Sequence, residues 1–268
     1  MKIIVDIGGT NIRVGTDLHS KNMPLLIYYT PSSKEKIIEL LTTSIAKILN
    51  QYKPNKITII MSVPGLVTLN GVVEKSLYLD IDNINFKQLL SKTFDCDVIV
   101  ENDANIQALG CYKKSSLLYL VIGTAIGGAY IDSNGKIFKG ENGFACEFGH
   151  VFSGGERICY CGRKGCLDTI ASGNTMIDLF GEQWWLQNNN RYINRYMHFC
   201  GERVANALDR LAIVFDPKDI VICGHICQND YFLSGLYSNS NSELLKKKEM
   251  YVCSDTWSLI YNASINYY

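Results

Sequence analysis

The sequence lacks an excess of charge of either sign and an apolar run of membrane-spanning length, and its first residues do not resemble a secretory leader. Lysine and arginine together number 26, as do aspartate and glutamate, so no large electrostatic attraction for nucleic acid is expected. The longest apolar stretches, such as residues 57–63, are far shorter than the roughly 20 residues of a membrane span. The first 14 residues contain no cationic start followed by a long apolar run. We therefore expect a cytoplasmic globular protein that has small-molecule ligands and neither nucleic-acid nor membrane partners.

The hydrophobic pattern predicts alternating strands and helices. A β-branched stretch over residues 1–15, interrupted by glycine, predicts a hairpin. Apolar residues at helical spacing predict a helix over residues 32–52. Strands are predicted over residues 57–61 and 97–100. This alternation is typical of an α/β fold.

The pattern then repeats in the second half of the chain. A strand predicted over residues 117–122 leads into a second turn, Gly123-Thr124, that repeats the arrangement around Gly8-Gly9-Thr10. This duplication predicts two α/β lobes, residues 1–112 and 113–268, with a ligand cleft between them. Further helices are predicted over residues 175–185, 199–215 and 257–268. The last of these helices is expected to be able to pack back on the first lobe.

Each glycine turn offers backbone N–H groups and a hydroxyl that can approach phosphate oxygens closely, because glycine has no Cβ. Glycine in tight hairpins is also commonly structural. Two such turns, the first preceded by Asp6, favour a nucleotide site. The Asp6 carboxylate is suited to hydrated Mg²⁺, which prefers carboxylates and substrate phosphates.

Asn102 and Asp103 follow a predicted strand, and ligands collect at the carboxyl edge of open α/β sheets. A carboxylate at this position can accept the proton of a sugar hydroxyl during phosphoryl transfer. The Asn102 amide can both donate and accept hydrogen bonds, which suits a polyol. The same pair also fits the N-cap of a helix that begins near Ala104, and the two roles are compatible.

Three of the ten cysteines form a compact group with one histidine. His150, Cys159, Cys161 and Cys166 lie within 17 residues. They can fill a tetrahedral zinc site, in which the metal would support structure and not activate water. Core thiols without metal and a disulfide framework are the alternative interpretations. Glu147 precedes His150 by three residues, so a helical turn would point both side chains to one side. The metal site and the substrate site would then be adjacent.

Six other cysteines are interpreted as small core residues or inert thiols. They are Cys96, Cys111, Cys146, Cys200, Cys223 and Cys227.

In combination, five segments resemble the ROK family of bacterial sugar kinases and repressors. They are Asp6-Ile7-Gly8-Gly9-Thr10-Asn11-Ile12-Arg13, Val63-Pro64-Gly65, Glu101-Asn102-Asp103-Ala104-Asn105, Gly123-Thr124-Ala125-Ile126-Gly127-Gly128 and residues 147–166. The resemblance implies an actin-like (ribonuclease H-like) ATPase fold, ATP with Mg²⁺, structural Zn²⁺ and phosphorylation of a hexose 6-hydroxyl. It also allows a homodimer.

The resemblance further implies a role for each matching residue. Asp103 resembles the catalytic base of the family. The implied sugar contacts are Gly65, Asn102, Asp103, Glu147, His150 and Asp168. The residues implied to bind ATP and its metal are Asp6, Gly8, Gly9, Thr10, Asn11, Arg13, Gly123, Thr124, Gly127, Gly128 and Gly224. The implied zinc ligands are His150, Cys159, Cys161 and Cys166.

Three positions depart from the family pattern. Asp168 stands where the family usually has glutamate, and Ala125 replaces a glycine of the second turn. His225 follows Gly224 where the family has a glycine triplet. These departures fall on an expected sugar contact, on a phosphate turn and near the expected adenosine region.

The expected activity is ATP-dependent phosphorylation of glucose, and the alternatives within enzymes are allose, fructose or an N-acetylhexosamine. The alternative of a different class is a non-catalytic sugar sensor or regulator. Repressors of the family carry an N-terminal helix-turn-helix domain, for which the phosphate motif beginning at Asp6 is expected to leave no room.

Overall fold

The structure is a computed structural model that describes residues 1–187, 190–239 and 245–268. Backbone contacts divide the chain into two compact units. The first unit consists of Met1–Cys111, Lys139–Ala145 and Thr256–Tyr268, and the second of Tyr112–Phe138 and Cys146–Asp255. Within the described ranges, no helix is both long enough and apolar enough to cross a membrane.

The elements alternate between strands and helices, as predicted. The strands are β1 (Lys2–Ile7), β2 (Asn11–Thr16), β3 (Leu26–Tyr29), β4 (Thr58–Val63), β5 (Leu66–Val67), β6 (Val73–Lys75), β7 (Asp97–Asn102), β8 (Leu117–Ile122), β9 (Ile126–Ile131), β10 (Asp219–Cys223) and β11 (Glu249–Cys253). The α-helices are α1 (Lys34–Tyr52), α2 (Phe86–Phe94), α3 (Asp103–Cys111), α4 (Asp168–Ala171), α5 (Gly173–Phe180), α6 (Arg191–Phe215), α7 (Asp230–Asn239) and α8 (Thr256–Asn266). Short 3₁₀ helices lie at Phe148–His150, Trp184–Leu186, Ile226–Gln228 and Leu245–Lys247.

The first unit is built on a five-stranded sheet in the order β3-β2-β1-β4-β7. The pairs β1–β2 and β2–β3 are antiparallel, whereas β1, β4 and β7 run parallel. The carboxyl ends of the three parallel strands therefore share one edge of the sheet, and this edge carries Asp6, Ser62 and Asn102. β5 and β6 form a separate two-stranded ribbon.

Helix α1 shows how the sequence pattern produces the core of this unit. Its buried residues Ile37, Leu41, Ile45 and Ile48 recur at helical spacing and pack in one cluster with the apolar residues of β1 and β4. The Ser33 side chain caps its first turn. The predicted helix over residues 32–52 is therefore confirmed.

The second unit is built on a four-stranded sheet in the order β11-β10-β8-β9. The pair β8–β9 is an antiparallel hairpin, and β8, β10 and β11 run parallel. Helix α6 packs against α4 and α7. This helix begins at Arg191, before the predicted start at residue 199, because Asn190 caps it and Ile193 and Met197 extend its buried face.

The predicted helix over residues 175–185 is correct only in its first part. Helix α5 spans Gly173–Phe180 and ends at Gly181, whose φ is 87°. This conformation favours glycine and ends an α-helix readily. The chain then forms the separate 3₁₀ helix at Trp184–Leu186.

Candidate active site

The first unit places Asp6 in a polar row across its parallel strands. Asp6, Ser62 and Glu101 are register partners on β1, β4 and β7. One Asp6 oxygen accepts from Arg13 Nε at 2.8 Å and Nη2 at 2.5 Å, and the other accepts from Ser62 Oγ at 2.8 Å. These bonds occupy three of the roughly four lone-pair sites of the carboxylate. About one site is left for a water molecule or a ligand.

Arg13, which the resemblance assigns to the cofactor, is anchored on several sides. Besides Asp6, its Nη2 donates to Thr256 Oγ1 at 2.9 Å. Its guanidinium carbon lies 5.7 Å from the centroid of the Trp257 ring. Arg13 therefore joins β2 to α8, and a quarter of its side chain is exposed.

The turn after β1 exposes residues that are predicted to contact phosphate. Gly8 N donates to the Asn11 carbonyl at 2.9 Å and so closes the hairpin. The Thr30 hydroxyl donates to the Gly8 carbonyl at 2.7 Å and fixes the turn from one side. Gly9 and Thr10 are exposed, which leaves this part of the turn accessible.

Asn102 and Asp103 lie where β7 ends and α3 begins. Asn102 Oδ1 accepts from Asn105 N at 3.1 Å, as an N-cap side chain does, so the N-cap interpretation of this pair is confirmed for Asn102. Asn102 Nδ2 donates to the carbonyl of Gly65 at 3.0 Å. Asp103 Oδ1 accepts from Ala104 N at 2.9 Å. The first unit therefore brings Gly65, Asn102 and Asp103 together.

The surroundings of Asp103 change its acidity. Burial, and after it the negative charge of Asp6, raises the pKa of the Asp103 carboxyl to about 7. The hydrogen bond from Ala104 N acts in the opposite direction but is the weaker influence. A carboxyl with this pKa changes its ionisation near neutral pH, as a general base should.

Glu101 and Lys139 form a partly buried ion pair at the end of β7, and neither residue was among the predicted site residues. Glu101 Oε2 accepts from Lys139 Nζ at 2.5 Å, and Oε1 accepts from Asn102 N and Asn105 Nδ2, both at 3.0 Å. The Glu101 side chain is only 5% exposed. The position of Glu101 beside Asn102 was a usable signal, whereas nothing local marks Lys139, which is 38 residues away.

The second glycine turn lies between β8 and β9 of the second unit. Gly123 and Thr124 are exposed, and their carbonyls accept from Gly173 N at 2.8 Å and Asn174 N at 3.0 Å. The first residues of α5 therefore hold this turn in place. The Ala125 carbonyl belongs to the tight hairpin, in which it accepts from Gly123 N at 3.0 Å.

The two glycines that follow this turn differ in their environments. Gly127 is half-buried, whereas Gly128 is buried in β9. A Cβ on Gly128 would lie 2.3 Å from Phe148 Cδ2, so the packing of Phe148 by itself requires glycine at this position. A phosphate contact for Gly128 stays a prediction.

Asp168 lies at the start of α4 and ties this helix to β9. Its Oδ1 accepts from Ile126 N at 2.7 Å, and the residue is 5% exposed. Burial raises the pKa of the Asp168 carboxyl to about 6, although the hydrogen bond from Ile126 lowers it.

The predicted metal-binding group is brought together in the second unit. One possible ligand atom from each of His150, Cys159, Cys161 and Cys166 lies within 4.8 Å of all the others. Cys159 Sγ is 3.5 Å from His150 Nδ1, and Cys161 Sγ is 3.6 Å from Cys166 Sγ. Tetrahedral zinc with ordinary Zn–N and Zn–S bonds separates its ligand atoms by about 3.5–3.8 Å. The donor set and its spacing therefore fit zinc.

Glu147 and His150 share one short turn, as predicted. The turn is the 3₁₀ helix at Phe148–His150, and His150 N donates to the Glu147 carbonyl at 3.0 Å. Burial and then the positive charge of Arg163 lower the pKa of His150.

His225, which follows Gly224, borders a pocket of about 510 Å³ in the second unit. Gly224 has φ 124°, and a Cβ there would lie 2.1 Å from the Ile122 carbonyl, so both conformation and space require glycine. The pocket lining includes Trp184, Trp185 and His225. The two indole rings meet edge to face with centroids 6.1 Å apart. His225 was already marked by its departure from the family pattern, whereas the two tryptophans were not predicted, although two adjacent tryptophans are a visible signal in the sequence.

Comparison with known proteins identifies relatives along the whole chain. The sequence model of the ROK family matches residues 2–264. A glucokinase of Halalkalibacterium halodurans is 33% identical over 63% of this chain and 55% of its own length. A xylose repressor of Caldicellulosiruptor bescii is 31% identical over 60% of this chain and 43% of its own length. This chain thus spans about half the length of these two relatives.

A third relative aligns over more of the chain. An N-acetyl-D-glucosamine kinase of Haemophilus influenzae is 29% identical over 87% of this chain and 86% of its own length. Among solved structures, a ROK family glucokinase from Streptomyces griseus in complex with glucose and AMPPNP superposes with a TM-score of 0.78. That superposition covers 98% of both chains at 20% identity. It shows the actin-like ATPase fold, as the sequence predicted.

Proposed function

The chain belongs to the ROK family, and from this premise we propose that it is an ATP-dependent hexose kinase. It transfers the γ-phosphoryl group of ATP to the 6-hydroxyl of the sugar. We propose glucose as the first substrate, because the glucokinase named above has 33% identity. N-acetylglucosamine is the first alternative, because the corresponding kinase aligns over 87% of the chain. Allose and fructose remain further alternatives.

The observation that carries this proposal is the environment of Asp103. Its carboxyl lies at the carboxyl edge of the parallel strands, and its pKa is raised to about 7. Asp103 accepts the proton of the sugar 6-hydroxyl as the hydroxyl oxygen attacks phosphorus and the bond to the ADP oxygen breaks. Asn102, fixed by Gly65 and Asn105, supports Asp103 by holding the junction from which the carboxyl projects.

The two exposed glycine turns support binding of the triphosphate. Gly9 and Thr10, and likewise Gly123 and Thr124, expose backbone groups that can approach phosphate oxygens. Asp6, with about one free lone-pair site, would hold hydrated Mg²⁺ through a water molecule. When bound, Mg²⁺ neutralises charge that develops on the β- and γ-phosphates.

The pocket lined by His225 is suited to the base of the nucleotide. Trp184 and Trp185 provide apolar aromatic surface for a purine, and His225 adds a polar edge. At the cluster of one histidine and three cysteines, we propose structural zinc, held by His150, Cys159, Cys161 and Cys166. Zinc would fix the turn that carries Glu147, and Glu147 and His150 are proposed sugar contacts, with Asp168 nearby in sequence.

A coupled ADP-release assay with a panel of hexoses tests the activity. We expect turnover with glucose or N-acetylglucosamine, and we expect Asp103→Asn to lower kcat by about 10²–10⁴-fold. The variant should still bind the sugar in calorimetry, because the amide replaces the carboxylate without a change of shape. Asp97→Asn is the matched control, because Asp97 is exposed at the start of the same strand. Wild-type kcat in Asp103→Asn would contradict the role of Asp103 as base.

A sugar-responsive regulator is the second candidate, because one relative is a xylose repressor with 31% identity. The same panel separates the two candidates. Sugar binding in calorimetry without ADP release for any hexose would favour the regulator.

A further inference from the structure

Two cysteines of the second unit lie opposite each other on neighbouring strands. Cys223 on β10 and Cys253 on β11 are register partners in a parallel pair, and each is the last residue of its strand. Neighbouring strands are about 4.7–4.9 Å apart, and partners in register point to the same face of the sheet. This separation falls within the range of about 4.4–6.8 Å that joins the Cα atoms of disulfides.

The two thiols are in contact and differ in their access to solvent. The Cys223 and Cys253 side chains are hydrogen-bonded, and this contact, together with burial, raises the pKa of the Cys223 thiol. Cys223 is fully buried, whereas Cys253 is partly exposed. Cys227, also fully buried, is nearby, and its Sγ donates to the Cys223 carbonyl at 3.4 Å. An oxidant in solution can therefore reach Cys253 and not the other two thiols.

We propose that Cys253 and Cys223 are a reversible oxidation site that forms a disulfide with hydroperoxides and weakens nucleotide binding. The Cys253 thiolate attacks a peroxide oxygen, the O–O bond breaks, and with hydrogen peroxide the hydroxide that leaves becomes water. The resulting sulfenic acid is attacked by the sulfur of Cys223. The S–O bond then breaks, and hydroxide leaves with the Cys223 proton as a second water molecule. Two thiols are thus oxidised and one peroxide is reduced.

The position of the pair links its oxidation to the adjacent turn. Gly224 N donates to the Cys253 carbonyl at 3.0 Å, and the Gly224 backbone is packed against Ile122. A covalent bond between the two sulfurs pulls on the turn at Gly224, which has little room to move. His225, which lines the pocket, is the next residue, so its position changes with that of the turn. This effect on nucleotide binding rests on the proposed function, whereas formation of the disulfide does not.

The test uses the full chain, treated with hydrogen peroxide and then digested under non-reducing conditions for mass spectrometry. We expect a peptide pair linked through Cys223 and Cys253 that disappears on treatment with dithiothreitol. Cys253→Ser and Cys253→Ala should each abolish the link. Cys96→Ser, which removes another partly exposed thiol, and Cys227→Ser should leave it intact. Oxidation within residues 150–166 is read from separate peptides.

ADP affinity is measured on the same samples by calorimetry. We expect a several-fold weaker affinity after oxidation, restored by dithiothreitol and absent in both Cys253 variants. A link from Cys253 to Cys227, or no link at all, would overturn the proposal. An unchanged ADP affinity in fully linked protein would overturn the effect on binding. If the reduced protein does not bind ADP, the proposed kinase function fails, and peptide mapping still decides the disulfide.

Discussion

At the scale of single residues, two carboxyls of the candidate site have raised pKa values for different reasons. For Asp103, the negative charge of Asp6 adds to the effect of burial. For Asp168, burial acts without such a partner and is opposed by the hydrogen bond from Ile126. Both carboxyls thus accept a backbone hydrogen bond that opposes the rise in pKa, but only Asp103 has a neighbouring acid whose charge adds to that rise.

The raised pKa of Asp103 predicts how activity depends on pH. Burial and the Asp6 charge both favour the protonated carboxyl, so the base loses its proton only near pH 7. A base acts only when ionised, so kcat/KM should rise about tenfold per pH unit below about pH 7 and level off above it. Initial rates from about pH 5 to about pH 8 measure this rising part of the profile, the acid limb.

Asp6→Asn provides the internal comparison for the pH profile. Removing the negative charge should lower the pKa of Asp103 and move the acid limb to lower pH. A rate that is independent of pH across this range, or a limb that does not move in Asp6→Asn, would contradict the assignment.

At the scale of elements, the junction of β7 and α3 is held by one buried carboxylate. Glu101 contacts the backbone of Asn102, the side chain of Asn105 and the ammonium group of Lys139. Lys139 belongs to the short segment Lys139–Ala145, which joins the first unit. Glu101 therefore links a strand end, a helix start and a distant segment next to Asp103.

Glu101→Gln should destabilise the protein. Oε1 accepts two donors, so the glutamine oxygen is needed there, and its NH₂ group then faces the Lys139 ammonium group and the Tyr268 hydroxyl, which lies 3.5 Å from Oε2. The charge-assisted hydrogen bond from Lys139 is then lost, and such bonds contribute about 1.5–3 kcal/mol to the free energy of unfolding. Urea denaturation measures this loss.

Asp82→Asn is the matched control for this prediction. Asp82 has a similar bonding pattern with one donor fewer, because Oδ2 accepts from Lys75 at 2.5 Å and Oδ1 accepts from Ser76 N at 2.8 Å. However, the Asp82 side chain is 33% exposed, compared with 5% for Glu101. An exposed pair contributes about 0–1 kcal/mol. Equal losses for both variants would show that burial does not determine the strength of the Glu101 pair.

The four proposed zinc ligands predict that stability and sugar binding depend on bound zinc. Purified protein should contain about one zinc per chain, and Cys161→Ser should lose it, because removal of one of four ligands opens the site. Cys161 is exposed, so the substitution itself disturbs little packing. Loss of zinc should lower the melting temperature and raise KM for the sugar strongly, with a smaller effect on KM for ATP. Metal analysis, thermal unfolding and kinetics measure these effects.

Cys96→Ser is the control for the zinc prediction, since Cys96 is a partly exposed thiol outside the cluster. It should retain zinc and the wild-type KM for sugar. A zinc-free wild-type protein that binds sugar normally would instead identify the cluster as core thiols.

At the scale of the whole molecule, each unit is assembled from separate stretches of chain. The first unit combines Met1–Cys111 with Lys139–Ala145 and with Thr256–Tyr268, which contains α8. Helix α8 packs against α3 and β1, elements that precede it by more than half of the chain. The order of the elements along the sequence therefore does not give the composition of the units.

The sequence by itself determined the features that depend on local pattern. The spacing of apolar residues placed α1, β4 and β8, and glycine with threonine marked both turns. The segment around His150 predicted a four-ligand group, and the structure brings its ligand atoms together. These features could be predicted because helix periodicity, turn conformation and short ligand spacing are set by neighbouring residues. The combination of motifs also identified the family.

Only the tertiary structure decided which distant residues meet. Lys139 and Glu101, separated by 38 positions, pair because their segments pack in one unit, and neither residue carries a signal for the other. Cys223 and Cys253 became partners through the pairing of β10 with β11. The raised pKa of Asp103 likewise needs Asp6 beside it and burial around it. Local sequence cannot specify such contacts, because burial and the pairing of strands depend on the packing of the whole chain.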